Sequence, residues 1–406
     1  MKTLIKISWR NVWRNKLRSL TVITSIVLGL WAGFFTMALT LGLNEQRMDS
    51  AVKSYLSHVQ VHHPNFLENY NIKDVIPKPD TLVSFIENSK LVKASSMRTI
   101  VVGMGSTAHG SLGIQVIGID PEKEKEITSI SQSIIKGSYF TKIKSKPVVI
   151  GNALAEKLKL DIKKKLYITF VDEHGNQQKI KLKVEGVFKT ASSLFDEANI
   201  FMKRDDLANA IGRSGLVHEI SILCQSLEHA DELRDELSTE FPEDKVETWS
   251  EISPELGYAD EMMSTFIYIF MGIILLALSF GIINTMLMAV LERKRELGML
   301  MSVGMNKSKV FFMILFETVF ISCIATPIGI ALSYWIISYF GEYGVDLSVV
   351  GKGLETLGIG SRVYTYLPNN LYFNISIMTL IVAFISSLLP ARRALKLDPA
   401  EAVRAL

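Results

Sequence analysis

Lysine, arginine, aspartate and glutamate are missing from four long stretches of this chain: 19–44, 262–291, 318–341 and 363–391. Each exceeds the roughly 20 apolar residues that cross a bilayer as a helix. An ordinary soluble globular protein is therefore excluded, and membrane-spanning helices are predicted at 20–43, 265–291, 310–340 and 373–390. Cysteine is scarce as well. Cys224 and Cys323 fall in different compartments of this scheme, which excludes a disulfide framework. No G-x-x-x-x-G-K-[ST] occurs, and Gly103, Gly105 and Gly110 complete no other phosphate cradle, so neither ATP hydrolysis by this chain nor a cofactor of its own is expected. No Ser/His/Asp or Cys/His constellation presents itself. His58 and His62 would share one face of a strand with His63 on the other, without a Cys or carboxylate cluster, so a metal set is not expected. The first apolar run is too long for a cleaved signal peptide, and no A-x-A site follows it closely.

The charges that are present give the chain a direction. The first 18 residues carry Lys2, Lys6, Arg10, Arg14, Lys16 and Arg18 and no acid. Five basic residues face two acids in 292–309, and four face two in 391–406. The insert 44–264 reverses the balance with 27 Lys/Arg against 33 Asp/Glu, and 341–372 holds two against three. Basic residues beside spans are retained on the cytoplasmic side. Both termini and 292–309 are therefore expected in the cytoplasm, with 44–264 and 341–372 outside. The net charge of +3 follows from topology and does not point to nucleic acid.

Within this frame, 1–19 reads as an amphipathic elbow. Lys2, Lys6, Arg10, Arg14 and Arg18 recur every fourth residue, with Ile5, Trp9, Val12, Trp13, Leu17 and Leu20 on another face, as in a helix lying in the headgroup layer. A straight extension of the first span is the alternative. The insert alternates as mixed α/β, with strands expected at 55–62, 112–119, 164–171, 180–188 and 217–223 and helices near 80–90, 152–160, 204–211 and 228–240. Asp172 to Asn176 has the composition of a hairpin turn. Paired strands interrupted by helices suggest two subdomains, the middle one inserted into the other near 100 and 190. Small residues line the spans at helical spacing: Ser25, Gly29 and Gly33; Ala277, Gly281, Thr285 and Ala289; Ala325, Gly329 and Ser333. Such stripes admit close packing within one subunit or at a dimer seam. Pro327 removes a hydrogen bond from the third span and predicts a kink.

Two segments carry specific patterns. In 292–317, ERKRELGMLMSVGMNKSKVFFMILFE, the charged start prolongs the second span and Leu297, Leu300 and Met301 give an apolar edge. Gly298 and Gly304 would allow tight bends, and Asn306 can cap the next helix. The tail PARRALKLDPAEAVRAL, 390–406, places Asp398, Pro399 and Glu401 as a helix start. Glu317 falls about seven residues into the third span, where an ionisable group marks either function or a pairing carboxylate. Phe34, Phe35 and Met37, with Met262, Met263 and Phe266, are candidates for an adaptable apolar pocket at the outer ends of the first two spans. Lipid-facing packing explains them equally well.

The segment 292–317, the tail 390–406 and WRNVWRNKLRSLTVI at 9–23 resemble the signatures of the FtsX/MacB/LolC/LolE permeases, membrane subunits of type VII ABC transporters. Within the insert, 117–140, 148–160 and 184–202 look closer to the lipoprotein-releasing LolC/LolE branch. The resemblance implies four transmembrane helices with a MacB-like periplasmic core domain, in a bacterial inner membrane. It implies a dimer with a second or homologous permease, and a separate cytoplasmic ATPase that binds ATP and Mg and drives a mechanotransmission cycle. Glu292, Arg293, Arg295, Glu296, Leu297, Gly298, Leu300 and Gly304 would then couple to the ATPase. Arg392, Arg393 and Pro399 would contact it from the tail, and Glu317 would anchor the coupling segment. The implied substrate is lipoprotein, with a periplasmic partner. A MacB-type efflux permease for peptides or hydrophobic drugs, and an FtsX-like regulator of cell-wall hydrolases, are the alternatives.

The charge asymmetry is tested with single cysteines on intact cells. A membrane-impermeant thiol reagent should label Asn176→Cys and spare Lys307→Cys; the reverse would invert the topology.

Overall fold

The computed structural model describes residues 2–14, 16–143 and 146–395. They fall into two compact units, one built from the first 43 residues with 261–345 and the segment from 363 onward, the other from 44–260 and 346–362.

The first unit is helical. A short elbow helix, Lys2–Arg14, is followed by Lys16–Ala51, Pro254–Glu292, Lys307–Tyr343 and Asn369–Leu395. These four are long and apolar enough to cross a membrane, and each runs past its charge-free stretch because a helix keeps its hydrogen bonds beyond the hydrocarbon. The elbow ends at Arg14, so Leu17 and Leu20 belong to the first span helix and not to the amphipathic face expected of 1–19. Val12 also leaves that face: it is fully buried in the helical core beside Met313. The third span helix continues through Pro327. Half of its most apolar window is buried against 22% for the second, so the third helix is the centre of the unit and the second presents most of its surface outward. Ala325 and Ser333 are fully buried, and a Cβ at Gly329 would stand 3.0 Å from Leu30 Cδ1. That stripe serves packing within one chain.

Among its described residues, the second unit contains a sheet system of ten strands. β1 (Val59–His62), β2 (Val92–Thr107), β9 (Glu219–Cys224) and β10 (Lys245–Thr248) form an antiparallel sheet in the order β10-β1-β9-β2. Helices Pro79–Asn88 and Ala230–Glu240 supply its core, Leu82, Ile86, Leu233 and Leu237 against Val59, Val61, Ile220 and Ile222. This is a βαββαβ arrangement whose middle hairpin is replaced by a long excursion. Beyond Arg98, β2 leaves that sheet and pairs with β3 (Gly110–Ile119) and β6 (Lys165–Val171). β3 pairs β8 (Asn199–Lys203), β8 pairs β5 (Pro147–Gly151), β5 pairs β7 (Gln177–Phe188), and β7 returns to β6. The path closes into a six-stranded barrel, with β4 (Ile134–Gly137) added on β7. Closure removes the sheet edges that would invite aggregation. Val101, Ile114, Val116, Ile150, Ile168 and Leu182 fill the interior.

β2, β5, β8 and β10 are strands that the alternation rule does not find. Buried on both faces, runs such as PVVIG and NIFMK do not alternate. Gly103 and Gly105 lie in β2, where a Cβ at Gly103 would come 2.6 Å from the Thr169 carbonyl; they serve strand crossing. The 172–176 turn forms as expected, Asp172 Oδ1 accepting the amides of His174 and Asn176 with Gly175 at φ +83.

The point where β2 changes sheets is fixed by a buried charge cluster. Arg98 donates to Glu219 at 2.7 Å, to Glu124 at 2.6 Å and to the Tyr55 carbonyl at 3.2 Å. Ser96 and Ser221 each donate to one of the two carboxylates. Burial alone would favour proton loss from Arg98, but Glu124 and Glu219 outweigh it and hold the guanidinium above its ordinary range.

Asp196 sits nearby in the barrel layer, 2% exposed, accepting the Thr190 amide and hydroxyl. Burial outweighs those bonds and pushes its carboxyl up to about 6. The folded protein thus binds this proton more tightly than the unfolded chain does. The resulting stability is fully present below pH 3.8 and is lost as the pH rises through 6, an effect on the order of 3 kcal/mol. Asp196→Asn should flatten the fall in Tm between pH 4 and 7; an unchanged slope would assign it to other groups.

Candidate coupling site

The second span helix stops at Glu292, and the chain re-enters a helix only at Lys294–Ser302. Arg293, at φ −101 and ψ 17, makes the break. Gly298, expected to allow a bend, lies inside this coupling helix and is buried. The second bend does fall on Gly304, at φ +99 with open space around it, where a side chain would be strained. Asn306 then caps the third span helix, its side chain accepting the Ser308 amide at 3.2 Å.

Leu297 anchors the coupling helix in a nest of Met286, Val290, Met313 and Ile314, and Leu300 and Met301 pack half-buried against the same core. Polar contacts complete the attachment. Glu317 is buried in the third span helix and accepts from Arg293 Nη1 at 3.2 and 3.3 Å. Arg293 Nε donates to Glu296 at 2.9 Å, and Arg14 of the elbow donates to the same carboxylate. Burial would raise the Glu296 pKa, but Arg293 and Arg14 outweigh it and hold the carboxyl below its ordinary value. One chain of charges, Arg14–Glu296–Arg293–Glu317, thereby joins the elbow, the coupling helix and the third span helix. The elbow is further held by Ser8, which donates to the Met313 carbonyl at 3.1 Å.

Glu292 and Arg295 are exposed on the coupling segment. So are Met299 and Val303, at 58% and 84%, an apolar pair that periodicity does not single out because it lies off the Leu297 edge. Arg14 was absent from the expected set as well. It lies 282 positions from Glu296, and no local signal pairs them. Arg392 and Arg393 are exposed in the last turn of the fourth span helix, while Pro399 lies outside the described residues.

The residues proposed to line an apolar pocket do not gather. Phe34 and Met37 are 2% and 3% exposed, and Phe34 stacks on Tyr372 with ring centroids 5.1 Å apart. Phe35 packs edge-on against Phe340, whereas Met262 and Phe266 are exposed and Met263 is half-buried. The aromatic side chains face the helical core because the small residues occupy the other side. There, between the first and second span helices, lies a groove of about 340 Å³ lined by Ser25, Gly29 and Gly33 opposite Ala277, Gly281 and Thr285. It extends from Val22 to Thr36, about 21 Å of helix.

The histidines are used singly. His58 Nδ1 accepts the Cys224 amide, and burial pushes His62 down to about 4, so it is neutral. No group of three metal-binding side chains forms among the described residues.

Residues 268–399 match the FtsX-like permease C-terminal family. The ABC transporter permease YtrF of Bacillus subtilis (strain 168) is 28% identical over 231 residues, 55% of this chain and 52% of its own length. The chain thus spans about half of that relative. The lipoprotein-releasing system transmembrane protein LolC of Neisseria meningitidis serogroup B is 24% identical over 347 residues, 80% of each chain. Among solved structures, the periplasmic region of MacB from Actinobacillus actinomycetemcomitans aligns with 49% of this chain and 92% of its own, at 11% identity and a TM-score of 0.35.

The two ends of the charge chain should differ in weight. Removing one partner of a buried ion pair costs roughly 3–5 kcal/mol, whereas an exposed pair is worth about 0–1 kcal/mol. Glu317→Leu should therefore lower the Tm of the full chain in nanodiscs far more than Glu296→Gln. Equal losses would mean that Glu317 does not carry the attachment.

Proposed function

We propose that the chain is an FtsX-like ABC transporter permease, on the family match and the relatives above, that it transmits ATP-driven motion of a separate cytoplasmic ATPase to its extracytoplasmic domain, and that it serves lipoprotein release. The observation that carries the coupling is the charge chain from Arg14 to Glu317. A push on the coupling helix reaches the central, most buried span through a buried ion pair and the Leu297 anchor. Neither link yields without exposing charge or apolar surface. The exposed edge with Met299, Val303, Glu292 and Arg295 is the natural contact for the ATPase, with Arg392 and Arg393 beside the last span. The outward surface of the second span helix suits a second permease copy. Both termini are cytoplasmic in this reading, and the membrane is the bacterial inner membrane.

Acyl chains of a lipoprotein would enter the groove between the first two span helices. Its walls are apolar apart from Ser25, Thr36 and Thr285. All three hydroxyls already bond within their own helices, Ser25 to Thr21 O, Thr36 to Ala32 O and Thr285 to Gly281 O, so none of them opposes hydrocarbon unpaired. The 24% relative that spans most of this chain is a lipoprotein-releasing protein, which favours this substrate over drugs or peptides.

A photocrosslinker at Thr36 or Ile274, on the groove, should capture lipoprotein in the absence of ATP, while one at Met262 should not. Capture of bulk phospholipid alone, together with ATPase activity stimulated by drugs or peptides, would favour the MacB-type efflux reading.

A further inference from the structure

We propose that the elbow helix carries a binding row for the phosphates of anionic phospholipid, and that lipid bound at Arg14 displaces Glu296 and so loosens the coupling helix. The inference deepens the coupling role proposed above and rests on it.

The elbow has three faces. Leu4, Ser8, Asn11 and Val12 are buried. Ile5, Trp9 and Trp13 form a second row, each between 41% and 49% exposed, with the two indoles edge to face at 6.1 Å. Lys6, Arg10 and Arg14 form a third row, exposed and one residue further round the helix. Tryptophan settles at the boundary between hydrocarbon and headgroups, which sets the adjoining cations at phosphate depth. A recess of about 520 Å³ is lined by Trp9 and Trp13 of one row and Arg10 and Arg14 of the other, with Ile7 and Asn11. Lys6 and Arg10 make no ion pair with a described residue, and the first 18 residues hold no acid to neutralise them. Charge complementarity selects an anionic headgroup.

Arg14 differs from its two neighbours in the row by having a partner. Its ion pair with Glu296 is open to solvent, the side chains being 56% and 45% exposed, and such pairs shift an equilibrium by at most about fivefold. A cation at an anionic bilayer surface gains about the same factor, so lipid phosphate and Glu296 compete for Arg14 on equal terms. The inner pair is different. Arg293 and Glu317 are 15% and 3% exposed, beyond reach of a headgroup. Anionic lipid would therefore release the coupling helix from the elbow while leaving it fastened to the third span helix.

The test uses the full-length chain in nanodiscs of phosphatidylcholine with or without phosphatidylglycerol. Amide exchange over Lys294–Ser302 should speed up by about fivefold with phosphatidylglycerol. Arg14→Lys should retain that dependence, and Arg14→Gln should exchange at the faster rate in both bilayers. Lys6→Gln with Arg10→Gln should weaken retention of dansyl-phosphatidylglycerol while leaving the Arg14 pair intact. Identical exchange in the two bilayers, or a lipid effect that persists in Arg14→Gln, would overturn the proposal. If instead the coupling reading were wrong, no ATPase would co-purify with the chain, yet the lipid dependence would remain.

Discussion

A buried carboxylate inside an apolar helix is costly unless it is paired, and the membrane unit is organised around supplying a partner to Glu317. The partner must arrive from the end of the helix at which Glu317 lies. Arg293 does so because the second span helix breaks at that residue and turns its guanidinium toward the third span helix. Once the pair is made, the coupling helix has one place to go: Leu297 falls into the nest beneath it, and Glu296 is left at the edge, where Arg14 can reach it. A carboxylate and an arginine thus determine the attachment of three helices, and the polar contact is retained where a hydrophobic substitution could pack as well. Its value lies in orientation, since an ion pair specifies a register that interchangeable apolar side chains do not.

Small residues do two different things in the same unit. In the third span helix, Ala325, Gly329 and Ser333 are consumed by packing, Gly329 against Leu30 and Val27 of the first. In the second, Gly281 meets nothing within 4 Å, and its stripe leaves a groove opposite Gly29 and Gly33. Close approach occurs only where bulky side chains such as Leu278 and Ile274 reach across, a Cβ at Gly29 standing 2.6 Å from Leu278 Cδ2. The same composition therefore produces a seam in one place and an opening in another, according to what stands opposite.

The α/β unit relies on a single shared strand. β2 serves the four-stranded sheet with its first half and the barrel with its second, so the relation between the two layers depends on one stretch of backbone. The buried Arg98 cluster stiffens that stretch by tying β2 to β9, to the Pro121–Ile127 helix and to the carbonyl of Tyr55. Two carboxylates and one guanidinium leave a local negative excess, tolerated because serine hydroxyls donate to both acids.

Much of this was legible in the chain itself. Four apolar helices and a large α/β insert follow from where charge is missing and where it collects, because transfer of charge into hydrocarbon is costly at any position in any fold. The turn at 172–176 and the alternating strands were equally readable, since turn chemistry and half-buried faces leave local patterns. Strands buried on both sides left none, and β5 and β8 went unseen. The function of Gly298 and the direction of Phe34 were misread for one reason: a sequence shows that a residue is small or apolar, not which neighbour it will face. The sequence alone determined that an ionisable group, Glu317, would stand within the third apolar segment, as a functional or a pairing carboxylate; the partner was not legible. Only the tertiary structure decided that it would be Arg293, with Glu296 and Arg14 beyond it, because ion pairs act through space and the chain brings those residues together from positions up to 303 apart.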